Sequence, residues 1–130
     1  MTGNRIAVDT NVVIALLNGD ETVLERFESA DRILLPFPVK GELLFGAMCS
    51  GRTAQNLDRL KTLFPQFETV NSSPEVELRY AEIKSSLRNK GRPIPENDIW
   101  IAACAQAAEV PLSSRDEHFD AIDELVVVHW

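Results

Sequence analysis

Short, continuously apolar runs alternate along this chain with segments of helical periodicity, and no other feature constrains its fold as strongly. The runs that we interpret as strands are Arg5–Val8, Ile33–Leu35, Phe67–Val70, Val110–Ser113 and Leu125–Val128. They are too apolar to alternate between apolar and polar side chains, as expected for strands that helices cover on both faces. The pattern therefore predicts an α/β fold with helices on both faces of a central, mostly parallel sheet.

Capping signals predict where the intervening helices begin and end. Ser73–Glu75 combines a capping serine, a proline at the first helical position and an acid that complements the helix dipole. Gly91 is expected to end that helix. Thr10 or Asn11 is expected to cap the first helix, and Thr22 starts a capping-box spacing for the second.

The length of 130 residues predicts a single domain that spans residues 1–130. The chain contains no run of about 18 apolar residues that would cross a membrane. The apolar stretch near the N-terminus meets Asp9 too soon for a signal peptide, so we expect a cytoplasmic protein. The two cysteines, Cys49 and Cys104, are far apart in sequence. They indicate neither a redox motif nor a zinc site, and we expect two buried free thiols.

The charge balance excludes two further classes of protein. The chain has 13 Lys and Arg against 20 Asp and Glu, a net charge of −7. Proteins that coat nucleic acid, and modules that bind membrane surfaces through polybasic patches, need a positive footprint. We therefore expect neither class, and the positions of the acids become more informative than their number.

Four acids fall where function gathers in an open parallel sheet, at the carboxyl ends of strands and the helix starts beside them. They are Asp9, Glu42, Asp98 and Asp116. Taken singly, each also fits a structural role, as a cap, a complement to a helix dipole or a solvated side chain. Taken together, four carboxylates at one edge would repel one another and raise their own pKa values. Divalent cations relieve that repulsion, and an all-oxygen ligand set selects hard metals such as Mg²⁺ or Mn²⁺.

Four segments resemble, in order and spacing, the four motifs of PIN-domain nucleases, and in particular of VapC-like toxins from type II toxin–antitoxin pairs. They are AVDTNVVIALL at 7–17, PVKGELLFGA at 38–47, ENDIWIAA at 96–103 and LSSRDEHF at 112–119. Ser114 stands where the family commonly has threonine, which keeps the hydroxyl. The resemblance spans essentially the whole chain, and the four motifs together are specific although each alone is weak.

This resemblance implies a PIN-like three-layer α/β/α sandwich and the activity of a metal-dependent endoribonuclease. It implies that the four acids form both the catalytic and the metal site, with one or two Mg²⁺ or Mn²⁺ ions. A metal-activated water would then cleave RNA phosphodiesters. Thr10 or Asn11, together with Ser114, would supply supporting hydrogen bonds.

The resemblance also implies partners. We expect a cognate small antitoxin that blocks the site, an RNA substrate and a homodimer. The identity of the fourth acid stays open between Asp116 and the neighbouring Glu117 and Asp120. We expect His118 to pack against or orient the turn that contains Asp116.

Basic residues are unevenly distributed, and most of the candidates for substrate contact lie just before the third motif. Lys84, Arg88, Lys90 and Arg92 fall within nine positions. They are candidates for RNA phosphate contacts beside the metal site, or else they form a solvated helix end that complements the dipole. Arg115, next to Asp116, either reaches the substrate or tempers the repulsion between carboxylates.

Other folds with an aspartate after the first strand fit less well. A haloacid-dehalogenase-like phosphatase needs a second aspartate two residues later, where Asn11 stands. A dinucleotide-binding fold needs a glycine-rich turn after the first strand, and that turn is missing. The alternatives that stay open are a non-catalytic PIN-fold interaction module and a lone PIN nuclease without an antitoxin.

Overall fold

A five-stranded sheet forms the centre of the structure, a computed structural model that describes residues 4–130. The first three residues, which belong to the predicted domain and to the segment judged too short for a signal peptide, lie outside the described residues. The strands are β1 (Arg5–Val8), β2 (Arg32–Pro36), β3 (Glu68–Val70), β4 (Leu112–Ser113) and β5 (Val127–Val128). Their order is β3-β2-β1-β4-β5, and every neighbouring pair is parallel.

Helices flank this sheet, which confirms the predicted α/β class. They are α1 (Thr10–Leu17), α2 (Glu21–Ser29), α3 (Phe37–Met48), α4 (Thr53–Leu63), α5 (Pro74–Lys90) and α6 (Glu96–Ala107). Two 3₁₀ turns, Phe64–Gln66 and Glu117–Ala121, complete the described elements. The central strand β1 is almost fully buried, since a strand in the middle of a parallel sheet is covered on both faces.

Helix α5 begins and ends where the sequence predicts. Ser73 Oγ accepts a hydrogen bond from Val76 N at 3.2 Å, and Pro74 is the first helical residue. Gly91 ends the helix with φ of 67°, a left-handed conformation that glycine adopts without strain. A serine cap, an N1 proline and a terminal glycine therefore agree on one set of bounds.

The predicted caps of α1 and α2 were wrong. Asp9, with φ of −81° and ψ of 164°, caps α1, whereas Thr10 is already helical. Strand β1 passes into α1 through this single residue, which leaves Asp9 alone with the extended backbone that a cap requires. Asp20 caps α2 in place of Thr22, because its carboxylate accepts from Val23 N at 3.1 Å.

Strand β4 begins later than predicted, at Leu112 rather than Val110. Pro111 has no N–H to donate to the sheet, although its carbonyl accepts from Ala7 N at 2.9 Å. Strand β5 is likewise confined to Val127–Val128. Both strands still end at the edge of the sheet where Asp9 follows β1, so the chain leaving β4 lies beside Asp9.

Both cysteines are free thiols, but the expectation that both are buried was wrong for Cys49. Cys49 lies at the exposed C-terminal end of α3, whereas Cys104 lies on α6. Most of α6 is buried because its alanines let the helix approach its neighbours closely. Within residues 4–130, no helix is both long enough and apolar enough to span a bilayer.

Candidate metal centre

Parallel strands and the helices that follow them place the four predicted acids at one edge of the sheet. Asp9 follows β1 directly, and Glu42 lies in the second turn of α3, which continues from β2. Asp98 lies in the first turn of α6, and Asp116 precedes the 3₁₀ turn after β4. Three of these acids, Glu42, Asp98 and Asp116, line a cleft at this edge. Asp9 is more deeply placed, with 4% of its surface exposed.

Both carboxylate oxygens of Asp9 accept hydrogen bonds from the protein. Oδ1 accepts from Thr10 N at 2.8 Å, and Oδ2 accepts from the Ser114 hydroxyl at 2.7 Å. Burial nevertheless raises the pKa of Asp9 to about 6, and repulsion from Asp98 and Glu42 adds to that effect. The surroundings therefore destabilise the charged form of Asp9, and a nearby cation would offset that destabilisation.

Thr10 orients the second acid. Its hydroxyl Oγ1 donates to Glu42 Oε1 at 2.7 Å, across an interval of 32 residues. The first residue of α1 thus holds a carboxylate of α3, while its backbone N–H holds Asp9. Thr10 joins the two acids at the supporting position that the sequence suggested for it.

His118 lies between the other two acids. Its Nδ1 is 3.0 Å from Asp98 Oδ2 and 3.0 Å from Asp116 Oδ1. Each of the three residues offers a ligand atom within 4.8 Å of the others, an arrangement compatible with a metal ion. Burial raises the pKa of Asp98 despite the opposing hydrogen bond from His118. The same hydrogen bond to Asp98 raises the pKa of His118.

The sequence indicated a packing or orienting role for His118 and did not place it among the candidate ligands. Asp116 Oδ1 also accepts from His118 N at 2.9 Å, so the residue does order its own turn. The signal that was available is its position two residues after Asp116, which brings both side chains into one turn. The contact with Asp98, from a separate helix, needed the folded chain.

Ser114 links two of the acids through one hydroxyl. Its Oγ donates to Asp9 Oδ2 and accepts from Asp116 N at 2.9 Å. Ser114 is fully buried, so this hydroxyl is held on both sides. The side chain of Asn11 binds the backbone beside the acids: its Oδ1 accepts a hydrogen bond from Arg115 N at 3.3 Å.

The three alternatives for the fourth acid differ in position. Asp116 lines the cleft, whereas Glu117 and Asp120 are absent from its lining and are exposed. Glu117 and Asp120 belong to the 3₁₀ turn that Asp116 caps. The geometry therefore favours Asp116 as the residue that faces the other acids.

The predicted basic residues separate into paired and unpaired groups. Lys84 Nζ lies 2.8 Å from Glu96, which lines the cleft, and Lys90 Nζ lies 2.7 Å from Asp123. Arg88 and Arg92 are exposed and form no ion pair within residues 4–130. The remaining candidate, Arg115, has its guanidinium group bonded to Asp20 and to the carbonyl of Trp130.

The residues of this edge fit a divalent cation. Within the described part of the chain, no lysine or arginine lies within ion-pairing distance of the four acids. The donors are carboxylate oxygens with one imidazole beside them, a set suited to a hard cation. Buried acids without a lysine or arginine partner are unfavourable, and a bound cation would supply positive charge beyond what the single His118 imidazole can offer.

Comparisons with known proteins agree with this geometry. The model of the PIN domain matches residues 6–125. Ribonuclease VapC1 from Haemophilus influenzae (strain R2866) is 28% identical over 128 residues, which are 95% of this chain and 96% of that protein. The solved structure of VapBC-1 from nontypeable Haemophilus influenzae superposes with a TM-score of 0.89 at 27% identity, covering 97% of this chain and 98% of the other.

A further solved structure comes from Mycobacterium tuberculosis. It is described as VapBC-5, a member of the VapBC family of toxin–antitoxin systems. Its similar chain has a TM-score of 0.76 and 26% identity, and 97% of each chain is covered. The same architecture thus recurs in chains that share about a quarter of their residues with this one.

Proposed function

This chain belongs to the PIN-domain family, and on that premise we propose that it is a Mg²⁺-dependent endoribonuclease that acts as the toxin of a type II toxin–antitoxin pair. One observation carries the proposal. Asp9, Glu42, Asp98 and Asp116 meet at the carboxyl edge of a parallel sheet without a lysine or arginine partner. The match over residues 6–125 also supports one domain for residues 1–130.

We assign the cation as Mg²⁺, with Mn²⁺ as the substitute that carboxylate ligands also accept. When bound, such an ion stabilises the negative charge that develops on the oxygens of a phosphodiester during hydrolysis. The four acids would hold it, and His118 lies close enough to Asp98 and Asp116 to share in or adjust that coordination.

The hydrogen bonds around Asp9 leave it able to bind a cation. A carboxylate oxygen has two lone pairs, and each oxygen of Asp9 uses one to accept from Thr10 N or from the Ser114 hydroxyl. These two donors fix the plane of the carboxylate and leave one lone pair on each oxygen available. Asp9 therefore has a defined orientation with acceptor capacity left over.

RNA can approach this edge only if positive charge offsets the repulsion between its phosphates and the acids. The acids alone would repel a phosphodiester, so we expect RNA affinity to depend on the divalent cation. Arg88 and Arg92 are exposed and have no ion-pair partner among residues 4–130; they lie in the last turn of α5 and in the loop that leads to Pro95, a residue of the cleft. We propose that these two contact RNA phosphates, with Lys84 and Lys90 available after exchange of their present carboxylate partners.

The partner follows from the similar proteins. The VapBC-5 structure is described as part of a toxin–antitoxin system, and we propose that a small cognate antitoxin likewise covers the acidic cleft of this chain. We also propose that the chain works in the cytoplasm as a homodimer. A small open reading frame directly beside its gene would support the antitoxin, and its absence would favour a lone PIN nuclease.

The decisive variant is Asp9→Asn, which keeps the shape of the side chain and removes its charge. Loss of several kcal/mol of transition-state stabilisation corresponds to a fall in RNA cleavage of about a thousandfold. Cleavage of cellular RNA by purified protein with Mg²⁺ measures the rate, and growth after induced expression measures toxicity. Asp58→Asn on the exposed face of α4 is the matched control.

We expect wild type and Asp58→Asn to cleave RNA and arrest growth, and Asp9→Asn to do neither. An Asp9→Asn protein that cleaves as fast as wild type would refute the metal-dependent mechanism. Wild-type protein that binds RNA with Mg²⁺ but never cleaves it would instead indicate a non-catalytic PIN module.

A further inference from the structure

The segment Ser114–Asp116, which follows β4, is held from behind by the residues that end β5. Ser114 N donates to Val128 O at 3.0 Å, which extends the ladder between the two strands. The Nδ1 atom of His129 lies 2.9 Å from Ser114 O. Because a carbonyl oxygen only accepts, the proton of this hydrogen bond belongs to His129. Both backbone polar groups of Ser114 are thus fixed by the residues 128–129.

Arg115 fixes the same segment to two other places. Its Nε donates to Trp130 O at 2.9 Å, and its Nη2 donates to Asp20 Oδ2 at 2.9 Å. Asp20 is itself bound in place as the cap of α2, and this hydrogen bond from Arg115 lowers the pKa of Asp20. The ring of Trp130 packs edge-on against the buried Phe27 of α2, with ring centroids 5.5 Å apart.

The front of this segment carries the acidic site. The Ser114 hydroxyl donates to Asp9, and it accepts from Asp116 N. A shift of the segment would therefore displace Asp116 and loosen Asp9 together. Among residues 4–130, the side chains of Arg115 and His129 form no hydrogen bond or ion pair with either acid, but each holds the backbone on which both acids depend.

We propose that Arg115 and His129 are positioning residues for the cation site, which they act on through Ser114 and Asp116. The guanidinium of Arg115 serves this role in place of RNA contact, because two structural partners already engage it. This inference rests on the proposed function, since it requires a cation at the four acids. Groups that orient metal ligands from behind typically contribute about 10- to 100-fold to metal affinity.

Mn²⁺ binding to the RNA-free protein, followed by electron paramagnetic resonance, tests the proposal without reference to activity. We expect Arg115→Ala and His129→Ala each to weaken Mn²⁺ binding about tenfold or more. Arg115→Lys keeps the charge near Asp20 but loses the fork that also reaches Trp130, and it should fall between wild type and Arg115→Ala.

Arg79→Ala is the matched control. Arg79 is an arginine of similar side-chain exposure, 38% against 41% for Arg115, and it also pairs with carboxylates, Glu75 at 3.0 Å and Glu82 at 4.0 Å. It lies on α5 away from the cleft, so its loss should leave Mn²⁺ affinity unchanged. Thermal unfolding of every variant separates a general loss of stability from a loss of metal affinity.

Several results would overturn the proposal. Mn²⁺ affinities within twofold of wild type for both alanine variants would reduce Arg115 and His129 to structural contacts. If Arg115→Ala binds Mn²⁺ normally but binds RNA weakly with a flatter salt dependence, Arg115 is a substrate contact. If Arg115→Ala does not fold, the exposed His129→Ala decides by the same criterion.

Failure of the proposed function has a separate signature. Wild-type protein and Asp9→Asn would then bind Mn²⁺ equally, or neither would bind it, and the present inference would fall with the cation site. Binding that Asp9→Asn abolishes and that both alanine variants retain would overturn the positioning role alone.

Discussion

The two edges of the central sheet treat acidic residues in opposite ways. At the amino edge, Glu68 at the start of β3 pairs with Arg32 at the start of β2, at 3.3 Å. The side chains of this pair are 49% and 65% exposed. At the carboxyl edge, Asp9 and Asp98 are buried, with 4% and 9% of their surfaces exposed. Neither has a lysine or arginine partner among residues 4–130.

The difference separates an acid that the chain pairs with an arginine from acids that have no lysine or arginine partner among residues 4–130 and only the His118 imidazole beside two of them. An exposed pair adds little stability and needs nothing from outside. Buried, clustered carboxylates destabilise the fold, as the raised pKa values of Asp9 and Asp98, caused mainly by burial, indicate. Such an arrangement is understandable where the fold has a cation to bind, and the acids at this edge account for four of the seven negative charges in the net charge of −7.

The largest effect that would test this contrast is on stability without metal. Burial raises the pKa of Asp9 from 3.8 to about 6, so the folded state binds a proton more tightly than the unfolded state. The contribution of Asp9 to the free energy of unfolding should therefore fall as pH rises from about 4 to about 6, and then level off. The raised pKa of Asp98 acts in the same direction, and the raised pKa of His118 extends the fall above pH 6.5, whereas the lowered pKa of Asp20 acts in the opposite direction.

Asp9→Asn removes this penalty. Two pKa units correspond to about 3 kcal/mol, so in EDTA at pH 7.5 the variant should be more stable than wild type by about 1–3 kcal/mol. Urea unfolding at several pH values measures this. With excess Mg²⁺ the wild type should gain stability and Asp9→Asn should gain less. A variant that is less stable than wild type in EDTA would mean that the hydrogen bonds of Asp9 outweigh its burial.

How far the sequence determined this picture can be judged from individual residues. The bounds of α5 were predictable because Ser73, Pro74 and Gly91 act within a few residues of the helix ends. The edge at which Asp9 and Asp98 lie was predictable because all carboxyl ends of a parallel sheet share one side. The same reasoning placed Glu42 and Asp116 there, and the motif resemblance added the expectation that the four acids form one catalytic and metal site.

Contacts between distant segments could not be predicted from local patterns. The bond between Arg115 and Asp20 spans 95 residues, and His118 meets Asp98 from a different element. No periodicity or capping rule carries that information, because it depends on how strands and helices pack. For the same reason, Arg115 looked like a free cation beside the site until its partners were visible.

A smaller effect concerns the two arginines that we propose as RNA contacts, at the end of α5 and in the loop before α6. Replacing Arg88 and Arg92 together by alanine should weaken RNA binding with Mg²⁺ present, because each removes one phosphate contact. The slope of log affinity against log salt should become shallower by about 0.7 for each contact with single-stranded RNA. Fluorescence anisotropy between low and moderate salt, with an RNA analogue that cannot be cleaved and with Mg²⁺ present, measures both quantities.

Arg32→Ala, measured with the same RNA analogue, is the control, because Arg32 lies at the opposite edge of the sheet. It removes the same charge from the protein and should leave the salt slope unchanged. Equal changes for the two edges would show that RNA responds to overall charge and not to a rim beside the cleft. If neither variant changes the salt slope, the arginines at the end of α5 are solvated side chains that do not contact RNA.

The smallest effect belongs to the amino edge itself. Glu68→Gln removes the ion pair with Arg32, and since both side chains are about half exposed, the loss in free energy of unfolding should be within about 1 kcal/mol. The change should be similar in EDTA and in excess Mg²⁺, and the rate of RNA cleavage should not move. A Mg²⁺-dependent difference would mean that the two edges communicate through β2, whose first residue is Arg32 and whose last leads into the helix of Glu42. Independence is expected, because the pair contacts water on one side and its charges are screened well before they reach the acids across the sheet.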